Sequence, residues 1–423
     1  MHNRYEKLLL PLLIATGSVF LISCGKADKN PNQVVLHMLC GPDVGGGAKE
    51  IIKKFEAAYP DITVDMIEGP ASTDIRENMY STSFMAKEST YDTMYMDVVW
   101  LPKFASQGWL RPLDDFFAPK MQKEFLPGDI EASRYEGKIY RIPAQSDGGM
   151  LYYRKDLLEK NGFKPPKTWQ ELVSIAQKLQ KPPEVWGFVF QGKQYEGLVC
   201  NFLEWVWGNG GSVLNAKGEV VLDHPEAIEA LKFMTGLIHQ YKISPKGILT
   251  YQEEEARHAF QQGKAVFMRN WPYCWELLQK DDSPVKGKIG ILPMVHAPKR
   301  ESAATLGGWG YGISAFSKHP EAAWKFIWFA ANQESQKIAY LKSGIIPARR
   351  ALFRDHDILK ASPHYKNLLQ VLMHAKPRPV HAQYAKISDI IQVHVSAALS
   401  GQEDPAGALQ AAAREIRALQ PKQ

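Results

Sequence analysis

The chain has 423 residues, 45% apolar and 23% charged, and carries a formal charge of +6. That length and balance suit a folded protein with a large core and exclude a disordered or collagen-like chain. The charge is spread without a block of like sign, which argues against nucleic acid or an anionic membrane face as partner. The 12 histidines show no HExxH and no other close ligand spacing, so no metal site is expected, and no cofactor motif stands out either.

In chain order, Arg4 and Lys7 precede an apolar stretch from Leu8 to Ile22 that Pro11 and Gly17 interrupt. This is the layout of a secretory signal peptide, and the run is too short and broken for a spanning helix. Its ending, Leu21-Ile22-Ser23-Cys24-Gly25, resembles the lipobox of bacterial lipoproteins, whose cysteine is lipidated and becomes the first mature residue. The expectation is a signal peptide over 1–23 and a tether over 24–32, anchored in the membrane through Cys24. The body then sits on the periplasmic or cell-surface side, away from pools of ATP and NADH. Cys40, Cys200 and Cys274 are an odd number without CxxC spacing, and leave either three buried thiols or one disulfide.

Val34 to Leu39 reads as a strand and is followed by a glycine-rich turn, Gly41 to Gly47. Ala48 to Tyr59 carries Ile51, Ile52, Phe55 and Ala58 on one helical stripe. Ile62–Ile67 (strand), Asp74–Met85 (helix) and Thr93–Val99 (strand) complete an alternation that predicts a parallel α/β sheet. The Gly45-Gly46-Gly47 turn lacks the Walker lysine and serine and is not GxGxxG, so it reads as a turn and not as a phosphate cradle. Further on, short strands Lys138–Ile142 and Met150–Tyr153 flank a Gly-rich polar segment. Thr168 and Glu171 form a capping-box pattern ahead of a helix to Leu179. Helices are expected over Glu226–Tyr241, Ala256–Gln262, Trp275–Gln279, Glu321–Asn332, Ile387–Leu399 and Ala406–Leu419, and strands over Ala265–Arg269 and Gly310–Ala315. There is more than one sheet here, and the polar, glycine-rich strand ends are where open α/β sheets place ligands. Several of the 11 tryptophans stand beside Gly or Pro, as in Trp100-Leu101-Pro102, Trp271-Pro272-Tyr273 and Gly308-Trp309-Gly310. Flat aromatic faces placed in loops suit the apolar C–H faces of sugar rings.

Four segments in order carry a resemblance that spans residue 34 to about 400. They are Asp97-Val98-Val99-Trp100 with Phe104 to Asp115; Tyr140-Arg141-Ile142-Pro143 with Gly149 to Leu158; Phe260 to Met268 with Trp271-Pro272-Tyr273; and Gly307 to Ser314. Together they resemble the sugar-binding group of bacterial extracellular solute-binding proteins of ABC importers, which includes the maltose- and trehalose/maltose-binding proteins. The resemblance implies an α/β, two-lobed periplasmic-binding-protein fold with three interlobe crossings. It implies an N-terminal lobe over 33–143 plus 280–310 and a C-terminal lobe over 149–270 plus 316–417. The crossings would be 144–148, 271–279 and 311–315.

The same resemblance implies the site. Asp97 and Asp147 would accept hydrogen bonds from sugar hydroxyls, and Trp271, Tyr273 and Trp309 would stack on or border the rings. Gly307 and Gly308 would present backbone groups, and Arg378 would bridge hydroxyls or brace a carboxylate. Arg76 and Trp100 complete the expected set. Relatives often place a polar or acidic side chain near the start of the first helix, where this chain has Val44-Gly45-Gly46-Gly47. Backbone groups serve that end, or Asp43 does, or the ligand is smaller there. The implied function is a monomeric, lipid-anchored receptor, with no catalytic residues. It would deliver a disaccharide or glucosyl-polyol osmolyte to the transmembrane subunits of an ABC permease. The alternative is an exported glycoside hydrolase using Asp97 and Asp147 as its carboxylate pair.

Overall fold

Two large β-sheets, beside one two-stranded sheet, organise the described residues. The computed structural model describes residues 33–419, except 216 and 363. The expected signal peptide, the tether and Cys24 lie outside the described residues. The strands are β1 (Val34–Cys40), β2 (Ile62–Glu68), β3 (Thr93–Asp97), β4 (Arg134–Tyr135), β5 (Lys138–Ile139), β6 (Ile142–Gly148), β7 (Met150–Arg154), β8 (Trp186–Val189), β9 (Ala265–Asn270), β10 (Ile289–Leu292), β11 (Ala304–Ile313) and β12 (Ala375–Lys376). The first sheet has the order β12-β11-β3-β1-β2, with β6 on β11 as well. β1 runs parallel to β2 and β3, and β11 runs antiparallel to β3 and β6. The second sheet has the order β10-β7-β9-β8.

Each sheet buries its own apolar face. The helix Gly47–Ala58 lays Ile51, Ile52 and Phe55 on the first sheet, beside Phe326 and Ile327 of the helix Pro320–Ala330. Gly46, at that helix's N-cap, has φ 76°, a conformation that costs glycine nothing. The second sheet packs against the helix Glu196–Gly208, in which all thirteen residues are buried. Helices Tyr384–Ser400 and Pro405–Leu419 join this second core through Ile387, Ile391, Val395 and Leu409. Thr168 and Glu171 form the expected capping box. No helix among the described residues is long and apolar enough to cross a membrane.

Strand pairing corrects the expected lobe boundaries. Residues 280–310 were expected in the N-terminal lobe, but β10 pairs antiparallel with β7 of the second sheet, and its Ile289 and Ile291 are buried in the second core. Residues 316–417 were expected in the C-terminal lobe, but the stretch from Ala323 to Ala331 packs with Ile51 and Phe55 on the first sheet. Residues 271–279 do not cross over: they hold the short helix Cys274–Leu278 and lead from β9 to β10 within one sheet. Tyr311–Ile313 is the end of β11 in the first sheet. The chain passes between sheets at Gly149 and between β10 and β11; after the helix Gln333–Ser343 it packs in the second core through Leu352, Ile358 and Leu368, while β12 returns to the first sheet. At Gly149 an added Cβ would lie 1.8 Å from Glu204 Oε1 and 2.2 Å from Arg269 Nη2, so only glycine fits that crossing.

Candidate functional site

A cavity of about 450 Å³ lies between the two sheets. β-strand alternation builds one wall, because every second side chain of the first sheet points the same way. In register, Trp309 lies opposite both Asp97 and Gln145, Tyr311 opposite Tyr95, and Gly307 opposite Asp147. All of these line the cavity, as do Met38 and Cys40 of β1. The alternate residues Leu39, Met94 and Met96 point into the core behind. The opposite wall comes from the start of the helix Glu196–Gly208, the start of the helix Glu253–Gln261, and Trp271 and Tyr273 beyond the end of β9. Both walls thus use C-terminal strand ends. A more open hollow of about 550 Å³ at Lys87, Glu88, Phe316 and Lys318 holds none of the expected residues.

Arg378 ties the walls together. Its Nη2 donates to Asp97 Oδ1 and its Nη1 to Glu196 Oε1, each at 2.7 Å. Asp97 Oδ1 also accepts from the Val99 N–H. Glu196 further accepts from the hydroxyls of Tyr384 and Ser388, and its own N–H donates to Asp74 Oδ2 at 3.2 Å. Arg378 therefore braces two buried carboxylates, the second of the two roles expected for it. Burial, with Glu196 close by, pushes the Asp74 carboxyl up to about 7.

Asp147 sits in a relay. Tyr95 donates to Gln145 Oε1 at 2.9 Å, and Gln145 Nε2 donates to Asp147 Oδ2 at 2.6 Å. Burial pushes the Asp147 carboxyl up to about 7, against the Gln145 and Gly148 N–H groups that favour its anion. Behind it, Arg141 Nη1 donates to the Gly308 carbonyl at 3.1 Å, beside the register shift between Trp309 and Gly310.

The aromatic rings are held by neighbours. Trp271 Nε1 donates to Glu253 Oε1 at 3.3 Å, and Tyr273 donates to Glu254 Oε1 at 2.6 Å. The Arg269 guanidinium lies 4.1 Å from the Trp271 ring centroid and is itself paired with Glu204 in full burial. Trp309 stacks on Tyr95 at 5.2 Å, has Trp100 edge-on at 5.4 Å, and has the Arg76 guanidinium carbon 4.6 Å from its centroid.

The structure brings Asp97, Asp147, Trp271, Tyr273, Gly307, Gly308, Trp309, Arg378 and Arg76 to this one cavity. Trp100 is a correction: it is 2% exposed and belongs to the core of Tyr80, Phe84 and Phe104, because the 3-10 turn Val98–Trp100 folds its ring inward. Sequence reasoning missed Glu196, Glu253, Glu254, Tyr95, Gln145 and Tyr195, all on the cavity wall. The Glu253-Glu254-Glu255 run was a usable signal, since acidic residues cluster at helix N-termini, and Gln252 and Glu255 do form a capping box. The glycine-rich turn holds no phosphate cradle: the free N–H groups of Ala48 and Lys49 are taken by Asp43 Oδ1 and Oδ2, each at 3.0 Å. Cys40, Cys200 and Cys274 are unpaired and buried, and burial pushes the Cys40 thiol up to about 12.

A two-sheet cleft lined by carboxylates and aromatic rings defines a ligand-binding protein of the periplasmic-binding class. Residues 41–337 match the family model of bacterial extracellular solute-binding proteins, and the chain belongs to that family. It is 36% identical over 90% of its length to a probable ABC transporter-binding protein of Deinococcus radiodurans, covering 93% of that relative. It is similar to the maltose-bound MalE3 of T. maritima, with 43% identity, a TM-score of 0.88, and coverage of 92% of this chain and 100% of that one. It is also similar to an ABC transporter solute-binding protein of Thermotoga lettingae bound with α-D-tagatose, at 26% identity and a TM-score of 0.81, covering 91% and 99% of the two chains. The family and these neighbours are binding proteins and not enzymes, and nothing supports the hydrolase alternative.

Proposed function

We propose that this chain is the receptor of a carbohydrate ABC importer, lipid-anchored through Cys24, and that its ligand is a disaccharide or a glucosyl-polyol. The observation that carries this reading is the pairing, in one cavity, of buried acceptors with indole and phenol rings. Asp147 and Glu253 would accept hydrogen bonds from hydroxyls, and Arg76 would donate to hydroxyl oxygens. Trp271 and Tyr273 offer ring surface to C–H faces. The 43% identity to a maltose-bound protein points to the same ligand class. Micromolar affinity corresponds to about −8 kcal/mol. A few charge-assisted hydrogen bonds and two buried rings reach that range.

Ligand would act by closing the lobes about the crossings, a hinge transition that presents a docking face to the permease. Two measurements test the reading. Small-angle scattering with and without saturating maltose should show a smaller radius in the bound form, and an unchanged radius counts against closure. Labelled fatty acid should enter the wild-type protein and be absent from Cys24→Ala; label retained in the variant removes the anchor.

A further inference from the structure

The cavity differs at its two ends. Toward the second sheet it carries Asp97, Asp147, Glu196 and Glu253, and Arg76 lies between the two ends, over Trp309 and beside Gly41. Toward the glycine-rich turn it runs into the apolar core of the first sheet. Met38, Ile51, Ala144, Tyr311 and Ala330 line the cavity and belong to that core, and Ala339 lines the cavity and packs against it.

This end has few groups with which to satisfy a sugar hydroxyl. Residues 44–47 supply no polar side chain. Each Asp43 oxygen already accepts one of the N–H groups that open the helix. Gln336 is spent as well: its Nε2 donates to the Pro143 and Ala331 carbonyls, and its Oε1 accepts from the Ala348 and Arg349 N–H groups. The hydroxyls of Tyr311 and Ser343, and the Arg76 guanidinium beside Gly41, are the polar exceptions. A polyhydroxylated ring pushed past them, among Met38, Ile51, Ala144 and Ala330, would bury hydroxyls without partners, which is costly, whereas an apolar group would lose nothing.

We infer that this arm is a subsite for an apolar aglycone, so that the preferred ligand is a glycoside whose saccharide lies among the carboxylates and whose alkyl or aryl group enters the first-sheet core. The inference rests on the carbohydrate reading above and narrows it.

Calorimetric titration with maltose, ethyl maltoside, butyl maltoside and phenyl maltoside tests it. Affinity should rise over maltose by about fourfold for each methylene the arm takes up. Ala339→Leu and Ala48→Leu narrow the arm from its two facing helices, and in either one the ratio of butyl maltoside to maltose affinity should fall toward one. Maltose binding with no gain from the aglycone overturns the arm alone. A gain kept in both variants also overturns it, because the hydrocarbon would then lie elsewhere. Failure of every saccharide to bind overturns the carbohydrate reading and the arm together.

Discussion

Replacing Arg378 by Met removes the only cation hydrogen-bonded to Asp97 and Glu196 among the described residues, and the cost follows from what each carboxylate keeps. The side chains of Arg378, Asp97 and Glu196 are 2%, 7% and 6% exposed, so water cannot take the place of the guanidinium. Glu196 keeps the hydroxyls of Tyr384 and Ser388, whereas Asp97 keeps one N–H, that of Val99. Most of the penalty therefore falls on Asp97. Removing one partner of a buried ion pair typically costs about 3–5 kcal/mol, and Arg378→Met should lose that much at neutral pH. Asp97→Asn in the same chain should recover most of the loss, and Glu196→Gln should recover less. Denaturant unfolding of the four proteins at about pH 7 measures all of this. A variant that unfolds at the wild-type midpoint, or a loss that Asp97→Asn does not recover, refutes the bracing role.

Asp74 and Asp147 are both pushed up to about 7, from an ordinary value of about 4 for the unfolded chain. An acid raised in the folded form favours folding at low pH, so stability should fall as pH rises from about 4 to about 7 and level off above. Asp74→Asn should flatten part of that slope; a slope identical to wild type counts against the contact with Glu196. Trp271→Ala should weaken saccharide binding by about 1–3 kcal/mol with little change in melting. Trp309→Ala should lower the melting temperature as well, because its ring also supports Tyr95, Trp100 and Arg76. Parallel melting and titration curves separate the two. Gly149→Ala should abolish soluble protein, since its Cβ would overlap the Glu204–Arg269 pair; a soluble, stable variant refutes that steric argument.

β1, β2, β3 and the helix Gly47–Ala58 were legible because their apolar residues repeat or cluster as a buried strand or a half-buried helix imposes. The helix Glu196–Gly208 was not, because burial on every side leaves no polar face and so no period. Glu196 was hidden with it. β6 was hidden for a related reason: Pro143, Gln145, Ser146, Asp147 and Gly148 read as a loop, yet all seven of its residues are buried against β11 and the cavity. The order of the crossings was misread because a short strand such as β10 looks the same whichever sheet it joins, and only pairing with β7 decides. Trp100 was misplaced by its neighbours: the Pro102 beside it opens a helix and does not mark an exposed loop. Asp97, Asp147 and Trp309 were named through the resemblance alone, and strand alternation brings them to one face.

A receptor of this kind binds a saccharide in the cleft between the sheets and releases it unchanged. Calorimetry against maltose, trehalose, sucrose and a glucosyl-polyol, with chromatography of the ligand recovered from the cell, checks both halves. One site per chain, affinity in the micromolar range or tighter for at least one of them, and intact ligand afterwards are expected. No heat with any of the four, or monosaccharide products that disappear in Asp147→Asn, would contradict it.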